Sequence, residues 1–190
     1  MYLFFHILYI LLILQRLGEL VLAQRNGHFL QQKGGYEVGR EQYKIIILLH
    51  SLFFLALYTE VIFLESVAPL WWPLPAALFF LAQFIRYWAI FSLGPYWNTR
   101  IFVLPQAPVV TKGPYRYLRH PNYLVVVIEL LTLPLIFGAY GTALIFTIAN
   151  AYILSQRIAL EERALAEATN YVEAMAHLPR WWPRRKKPVS

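Results

Sequence analysis

The stretch YLVVVIELLTLPLIFGAYGTALIF, residues 123–146, is apolar almost throughout, and Glu129 is its only charged side chain. It is interrupted by FGAYG, residues 137–141, whose glycines permit a tight reversal of the chain. A helix needs ~20 apolar residues to cross the hydrocarbon core of a bilayer, so the run before the glycines, residues 123–137, is a short span. We predict that it forms a helical hairpin with the apolar run that follows, residues 141–160.

Further apolar runs precede the hairpin, at residues 2–23, 45–64 and 70–93. Hydrophobic residues make up 59% of the chain and the mean hydropathy is +0.49, whereas a soluble domain is closer to half apolar. The length of 190 residues suits one domain. We therefore predict an all-α, polytopic membrane protein with about five transmembrane helices, in which residues 1–190 form a single integral-membrane domain.

Lysine and arginine residues determine the predicted orientation. They occur after the first, third and fifth apolar runs and are absent from the two short links after the second and fourth. By the positive-inside rule, the N-terminus lies outside and the C-terminus in the cytoplasm.

The basic residues that give the net charge of +7 lie beside apolar runs, so we expect membrane lipids as partners and no nucleic acid. The tail WWPRRKKP, residues 181–188, is typical of an interfacial anchor.

Ionisable side chains inside the apolar runs need a partner or a function, because a charge at membrane depth is costly. Arg16 and Glu19 are three residues apart and can pair on one face of a helix. Glu129 lies well inside the fourth run, and Arg86 in the third run is a candidate partner. The chain has no cysteine, which excludes disulfides, thiolate catalysis and cysteine-ligated metals, and we predict no metal site.

Polar residues are concentrated in VVTKGPYRYLRHPNY, residues 109–123, immediately before the hairpin. Pro121 can open the fourth span as its first helical residue, because a proline there loses no hydrogen bond. The free N–H groups of a helix that begins at this point would face an anion. A simpler interpretation treats Arg116 and Arg119 as ordinary positive-inside anchors.

A second polar motif, RIALEE, residues 157–162, lies near the end of the last apolar run. Its Arg157 and Glu161 are four residues apart on one helical face and could form a simple helix-stabilising pair. The two motifs lie on the same side of the membrane in the predicted topology. Together, T-x-G-P-Y-x-x-x-R-H-P-x-Y and R-x-x-x-E-E-x-x-L resemble the signature of the isoprenylcysteine carboxyl methyltransferase family, which is related to membrane phospholipid methyltransferases.

The resemblance covers about residues 97–165, which would be the cofactor-binding region of the domain. It implies an enzyme that binds S-adenosylmethionine without a Rossmann fold, and the chain has no G-x-G-x-x-G motif. The segment WNTRIFVLP, residues 97–105, further resembles the bacterial branch of the family, which methylates long-chain alkylpyrones and alkylresorcinols.

Carried over residue by residue, the resemblance implies cofactor contacts before the fourth span, at its start and in the second motif. These residues are Ala107, Pro108, Val109, Val110, Tyr115, His120, Pro121, Asn122, Tyr123 and Glu161. S-adenosylmethionine carries a carboxylate, an ammonium, ribose hydroxyls and a sulfonium, so it needs cations, carboxylates and aromatic faces together. The family's substrate-side arginine corresponds to Arg157. An ionised acceptor needs only this cation, whereas a phenol needs a base, for which Glu129 is our candidate.

The resemblance therefore implies an integral-membrane, S-adenosylmethionine-dependent O-methyltransferase whose active site faces the cytoplasm. Its acceptor would be lipophilic, either the isoprenylcysteine-type carboxylate of a prenylated substrate or a hydroxyl of an alkylpyrone or alkylresorcinol. Two alternatives stay open, a phospholipid N-methyltransferase and a non-catalytic lipid-binding or transport protein. The second alternative accounts for the spans and the basic tail but not for the paired motifs.

Overall fold

The computed structural model describes residues 1–180 as a bundle of long helices with a small β-ribbon at one end. The long helices are α1 (Tyr2–Gln32), α2 (Arg40–Tyr58), α3 (Pro73–Leu93), α4 (Pro121–Ile136) and α5 (Tyr140–Ala168), followed by the short α6 (Tyr171–Met175). The strands are β1 (Tyr36–Val38) and β2 (Ile101–Val103). A π-helical turn (Thr59–Phe63) extends α2, and 3₁₀ turns occupy Gly94–Tyr96 and Gly113–Arg116. The tail predicted to be an interfacial anchor, residues 181–188, lies outside the described residues.

Helix length and composition confirm the prediction of a largely helical membrane protein. The helical segments long and apolar enough to cross a membrane are Tyr2–Gln32, Arg40–Phe63, Pro73–Tyr96 and Tyr140–Ala168. Helix α4 has 16 residues, which at 1.5 Å per residue gives ~24 Å, shorter than the ~30 Å hydrocarbon core. A fifth span and the orientation of the bundle therefore stay predictions.

The predicted hairpin is confirmed as the pair α4 and α5, which are joined by a tight turn after Ile136. Gly138 adopts φ 75°, and a Cβ at this position would lie 2.2 Å from the carbonyl oxygen of Val67. Only glycine fits both the backbone angle and the close approach. Glu60 then caps the start of α5, where its Oε2 accepts hydrogen bonds from the backbone N of Thr142 at 2.7 Å and from its Oγ1 at 2.6 Å.

Both the inside and the outside of the bundle are apolar. The main core cluster contains Phe5, Leu8, Leu12, Leu49, Phe53, Leu57, Val61, Ala76, Phe79, Leu130, Leu133, Ile136, Phe137 and Ala139, and partly buried side chains of α5 pack against it. Large apolar side chains also point outward, for example Leu3, Phe91 and Ile148, which are 76%, 78% and 63% exposed. An exposed surface of this kind suits contact with lipid chains rather than water.

A two-stranded antiparallel ribbon ties the α1–α2 link to the α3–α4 link. Tyr36 of β1 pairs with Val103 of β2, and Val38 pairs with Ile101. This ribbon was not predicted from the sequence, because strands of three residues are too short to show an alternating pattern. We call this end of the bundle the ribbon end; the last turn of α3, the start of α4 and the end of α5 lie there.

Candidate active site

A cavity at the ribbon end, which we call the first cavity, gathers the predicted cofactor residues. Those on its wall are Ala107, Pro108, Val109, Val110, Tyr115, His120, Asn122, Tyr123 and Glu161. Pro121 is buried beside it as the first residue of α4. Wall residues that the sequence analysis did not select are Leu30, Leu93, Tyr96, Trp97, Asn98, Arg100, Phe102, Leu104, Arg119, Leu165, Thr169, Tyr171 and Met175. Trp97 and Asn98 belong to the segment WNTRIFVLP, and Arg119 belongs to the first polar motif. Their place in these motifs is the sequence feature that could have identified them as wall residues.

The GPY segment of the first motif forms a 3₁₀ turn that packs directly against α3. Gly113 has φ 60°, and a Cβ there would lie 1.9 Å from Oγ of Ser92. The missing side chain lets the turn approach the helix, and this places Tyr115 on the cavity wall with only 7% of its surface exposed. The glycine of the motif is therefore a packing requirement of the site.

His120 and Tyr123 stand together at the start of α4. The helix begins at Pro121, as predicted for a proline at the first helical position. The rings of His120 and Tyr123 stack with centroids 5.3 Å apart. Nε2 of His120 lies 3.0 Å from Oε1 of Glu162. His120 is thus fixed by a stacking partner on its own helix and a carboxylate on α5.

Glu162, which the sequence analysis did not select, is the centre of a charged cluster. It accepts hydrogen bonds from Nη1 of Arg119 at 3.3 Å and from Nη2 of Arg180 at 2.5 Å. Nε of Arg119 also donates to the carbonyl oxygen of Leu178 at 2.7 Å. These contacts hold the α6 segment beside the first cavity. The sequence feature that could have identified Glu162 is its place as the second glutamate of the motif R-x-x-x-E-E-x-x-L.

Two phenols on the wall of the first cavity stay protonated at neutral pH. Burial raises the pKa of the Tyr115 phenol well above its usual value, and the nearby Glu161 carboxylate adds to the shift. Burial also raises the pKa of Tyr171, together with the charges of Glu162 and Glu161. Both side chains therefore offer O–H donors to whatever occupies the cavity.

A second cavity adjoins the first and is largely apolar. Its wall is formed by Ile13, Arg16, Leu17, Glu19, Leu20, Tyr43, Ile46, Ile47, His50, Ser51, Phe54, Arg86, Trp97, Asn98, Thr99, Asn122, Tyr123, Val126, Asn150, Leu154 and Arg157. Trp97, Asn98, Asn122 and Tyr123 belong to the walls of both cavities.

The rim of the second cavity is open between α1 and α2. Leu17 and Leu20 of α1 are 54% and 43% exposed, and Ile47 of α2 is 46% exposed. Nearer the far end of the bundle the two helices are in contact, where Oη of Tyr9 donates to the carbonyl oxygen of Phe54 at 3.2 Å. The cavity is thus reached from the apolar outer surface of the bundle.

Tyr123 connects the two cavities through its hydroxyl group. It donates to Oε2 of Glu161, on the wall of the first cavity, and accepts from Nε of Arg157 at 2.9 Å, on the wall of the second. Arg157 is 4% exposed, and its Nη2 also donates to the carbonyl oxygen of Thr99 at 2.7 Å. The direct ion pair between Arg157 and Glu161, which their spacing allowed, is absent from the part of the chain that the structure describes.

Several buried polar atoms on these walls have no hydrogen-bond partner among the described residues. They are Nε1 of Trp97, Oδ1 of Asn122, Nδ2 of Asn150 and Nη1 of Arg157. Buried polar groups are nearly always paired, so an unpaired group needs an explanation. Since all four residues line the cavities, a polar ligand in each cavity would supply the missing partners.

Glu129, our candidate for the base, lines neither the first nor the second cavity. It accepts hydrogen bonds from Nη2 of Arg16 at 2.8 Å, from Nε of Arg86 at 3.2 Å and from Nε2 of Gln83. Both arginines also contact Glu19, at 2.6 and 3.3 Å, so the two predicted pairs Arg16–Glu19 and Arg86–Glu129 are confirmed. The geometry does not support a role as base, because this carboxylate is paired with two guanidinium groups and lies on the wall of neither cavity.

Comparison with known proteins gives a family match and two similar bacterial proteins. The model of the isoprenylcysteine carboxyl methyltransferase (ICMT) family matches residues 75–167, which include both motifs and the α4–α5 hairpin. The chain is 44% identical over 163 residues to the uncharacterized protein YpbQ of Bacillus subtilis, a match that covers 86% of this chain and 97% of that protein. It is also 27% identical over 169 residues to an uncharacterized protein of Haemophilus influenzae, with 86% and 96% covered.

Proposed function

Since this chain belongs to the isoprenylcysteine carboxyl methyltransferase family, we propose that it is an integral-membrane O-methyltransferase that uses S-adenosylmethionine and acts on a lipophilic acceptor. One observation carries the proposal. A cavity at the ribbon end with several polar side chains on its wall and a more apolar cavity open to the outer surface share a wall, at which Tyr123 connects Glu161 to Arg157.

The first cavity suits S-adenosylmethionine in the kinds of groups it presents. The cofactor, when bound, supplies an electrophilic methyl group on its sulfonium. Glu161 offers a carboxylate for the ammonium or the ribose hydroxyls, and Tyr115 and Tyr171 offer hydroxyl donors. Nε1 of Trp97 and Oδ1 of Asn122 add a donor and an acceptor that lack partners among the described residues. These residues are the ones we expect to hold the cofactor.

The second cavity suits an acceptor with a hydrocarbon chain and one anionic or acidic oxygen. Its rim between α1 and α2 admits a chain from the lipid, and Arg157 on its wall has a free Nη1 donor. In a low dielectric this guanidinium would strongly stabilise an ionised oxygen. Candidate acceptors are an isoprenylcysteine-type carboxylate and an alkylpyrone or alkylresorcinol hydroxyl. An amine acceptor, as in phospholipid N-methylation, would gain nothing from this cation.

Methyl transfer to such an oxygen is an in-line displacement, so the chain has to align two molecules and keep water out. The shared wall allows this, because residues that hold the cofactor and residues that hold the acceptor are hydrogen-bonded to the same phenol. We also propose that the ribbon end faces the cytoplasm, which the distribution of lysine and arginine supports.

Two measurements on the protein purified in detergent test the proposal: binding of S-adenosylmethionine and transfer of its methyl group to an acceptor. We expect radiolabelled S-adenosylmethionine to bind to the wild type, and His120→Ala and Glu161→Gln each to weaken binding by ~10-fold or more, the scale of one charge-assisted hydrogen bond. Arg116→Gln is the matched control, because Arg116 lies in the same motif but is exposed and outside the first cavity. If the wild type does not bind the cofactor, or if both variants bind it like the control, the proposed function is wrong.

A further inference from the structure

The proton of a hydroxyl acceptor needs a route out of the second cavity. Such an acceptor loses this proton when its oxygen is methylated, and Glu129 lies on the wall of neither cavity. The rim of the second cavity opens to the apolar outer surface, and a bare charge does not cross hydrocarbon cheaply. The proton therefore has to leave through side chains of the shared wall.

The hydroxyl group of Tyr123 is placed to take this proton. It lies on the wall of the second cavity, as does the unpaired Nη1 of Arg157. A phenol oxygen has two lone pairs and carries one hydrogen. Nε of Arg157 donates to one lone pair at 2.9 Å, and the hydrogen is donated to Oε2 of Glu161. The second lone pair stays open to the hydrogen of an acceptor hydroxyl.

Oε2 of Glu161 lies between two groups that can exchange a proton with it. It accepts from Oη of Tyr123 and lies 4.0 Å from Nδ1 of His120. The second distance is longer than a hydrogen bond, but the Glu161 side chain is 25% exposed and a small rotation closes the gap. Both contacts use Oε2, so Oε1 stays open to the cofactor.

The hydrogen bonds of His120 determine which of its ring nitrogens is basic. Nε2 lies 3.0 Å from Oε1 of Glu162, a carboxylate that also accepts from Arg119 and Arg180. An ionised carboxylate only accepts, so Nε2 carries the hydrogen and, in the neutral ring, Nδ1 carries a lone pair. Nδ1 is the nitrogen nearer to Glu161, so the lone pair is available to a proton from that carboxyl.

We infer that Tyr123, Glu161 and His120 form a proton relay that takes the proton of a hydroxyl acceptor from the second cavity to the ribbon end. This inference rests on the proposed function. The acceptor O–H bond breaks and its proton passes to Oη of Tyr123, while the hydrogen of that phenol passes to Oε2 of Glu161. The acceptor oxygen bonds to the methyl carbon as the carbon–sulfur bond breaks, and the electron pair of that bond stays on sulfur. Oε2 then gives the proton to Nδ1 of His120.

The groups around the relay favour this direction of transfer. A proton on His120 gives an imidazolium between the carboxylates of Glu161 and Glu162, and opposite charges at this range stabilise it. The other charged or titratable groups that face the relay come from the 3₁₀ turn, the segment before α4, α5 and α6, and they are Tyr115, Arg119, Arg157 and Tyr171.

The test uses two lipophilic probes, 3-pentadecylphenol and N-acetyl-S-farnesylcysteine, at saturating S-adenosylmethionine. Between about pH 7 and 9 the carboxylate probe is ionised, whereas the phenol, with a pKa of about 10, is largely neutral. Wild-type kcat with the phenol should change little over this range. In Tyr123→Phe only the phenolate reacts, so kcat should be ~100-fold or more below wild type at pH 7 and rise about tenfold per pH unit. The carboxylate probe should show no such slope in either protein.

Two further variants examine Glu161 and His120. Glu161→Gln should give the same slope with the phenol as Tyr123→Phe. His120→Gln keeps an N–H donor toward Glu162 but has no basic nitrogen, so at pH 7 it should slow the phenol ~10-fold more than the carboxylate probe. Tyr115→Phe is the matched control, because it removes another buried phenol of the first cavity and should keep the wild-type profile. Binding of radiolabelled S-adenosylmethionine shows whether each variant is folded.

The relay is overturned if Tyr123→Phe or Glu161→Gln keeps the wild-type pH profile, or if the wild type itself shows the tenfold slope with the phenol. It is also overturned if His120→Gln slows both probes equally or if the wild type methylates only the carboxylate. In all these cases methyl transfer still occurs. Absence of cofactor binding, or of transfer to both probes, instead defeats the proposed function and the relay with it.

Discussion

The Nε atom of Arg157 donates a hydrogen bond to the hydroxyl oxygen of Tyr123 at 2.9 Å, and that hydroxyl in turn donates to Glu161. A single phenol thus joins residues of two cavities that meet at the start of α4. A change at the phenol should affect how the two halves of the site cooperate more than how either half binds its own molecule.

Tyr123→Phe keeps the ring that stacks on His120 and removes only the hydroxyl group. We expect methyl transfer to fall by ~10-fold or more, because Arg157 and Glu161 each lose a hydrogen-bond partner inside the protein. Transfer rates and cofactor affinity are measured side by side. Tyr117→Phe is the control, since Tyr117 belongs to the same motif but is 49% exposed. A Tyr123→Phe protein with wild-type turnover would contradict the connection.

Arg157→Lys should separate acceptor chemistry from cofactor binding. Lysine keeps the positive charge but loses the planar fork that donates to both Tyr123 and the carbonyl oxygen of Thr99. We expect methyl transfer to drop while the affinity for radiolabelled S-adenosylmethionine stays nearly unchanged. Arg163→Lys, an exposed position on the same helix, is the control. Loss of cofactor binding in Arg157→Lys would instead assign Arg157 to the cofactor site.

Glu129→Gln should destabilise the protein rather than act on the chemistry. The change leaves Arg16 and Arg86 with one counter-ion fewer, and breaking a buried pair costs ~3–5 kcal/mol. The thermal unfolding midpoint in detergent should fall, and Arg16→Gln in the same chain should restore part of it. Glu41→Gln, at an exposed pair with Lys44, should leave the midpoint unchanged. If Glu129→Gln is stable but abolishes turnover, Glu129 is the base after all.

Gly113→Ala should loosen the first cavity. The added Cβ meets Ser92 and the backbone keeps a positive φ, so both overlap and strain oppose the change. Gly94→Ala is the control for backbone strain without steric overlap, because Gly94 also has a positive φ, 55°, but has open space around it. We expect Gly113→Ala to lower cofactor affinity and the unfolding midpoint more than Gly94→Ala does. Equal effects of the two substitutions would show that the close packing against α3 is not needed.

The orientation of the bundle is open to a topology experiment. Reporter fusions after Leu64 and Phe137 should report an outside location, and a fusion after Arg40 a cytoplasmic one, because the links that contain lysine and arginine all lie on one side. A cytoplasmic signal at Phe137 would invert the hairpin and contradict the proposed location of the first cavity.

Local patterns in the sequence predicted the structural elements that are determined by neighbouring residues in the chain. The lengths of the apolar runs predicted the helices, and the glycines after Ile136 predicted the hairpin. Of the predicted cofactor contacts between Ala107 and Tyr123, all but Pro121 line the first cavity. Contacts between distant segments left no such pattern. The ribbon, the position of Tyr171 beside His120, and the role of Arg16 as a partner of Glu129 each depend on how helices pack.

The expectation for Glu129 shows the same limit. Its cost at membrane depth was correctly read as a need for a partner, and Arg86 was the right candidate. The sequence could not show that Arg16 and Gln83 complete the surroundings of Glu129, nor that Glu129 lies outside the second cavity. Whether Glu129 acts as a counter-ion or as a base depends on how α1 packs against α3 and α4, which the sequence alone does not reveal.

The pairing of β1 with β2 has a consequence for the order of events during synthesis. The ribosome completes Tyr36–Val38 long before Ile101–Val103, and α2 and α3 must both be inserted in between. Until then β1 has no strand to pair with. The parts of the cavity walls that the α3–α4 link contributes have also not yet been synthesised. The ribbon end of a newly made chain therefore closes late, by a long-range contact between β1 and β2 that forms only after α2 and α3 have been inserted. Chains truncated before Ile101 should accordingly be inserted but easily cleaved by protease within β1.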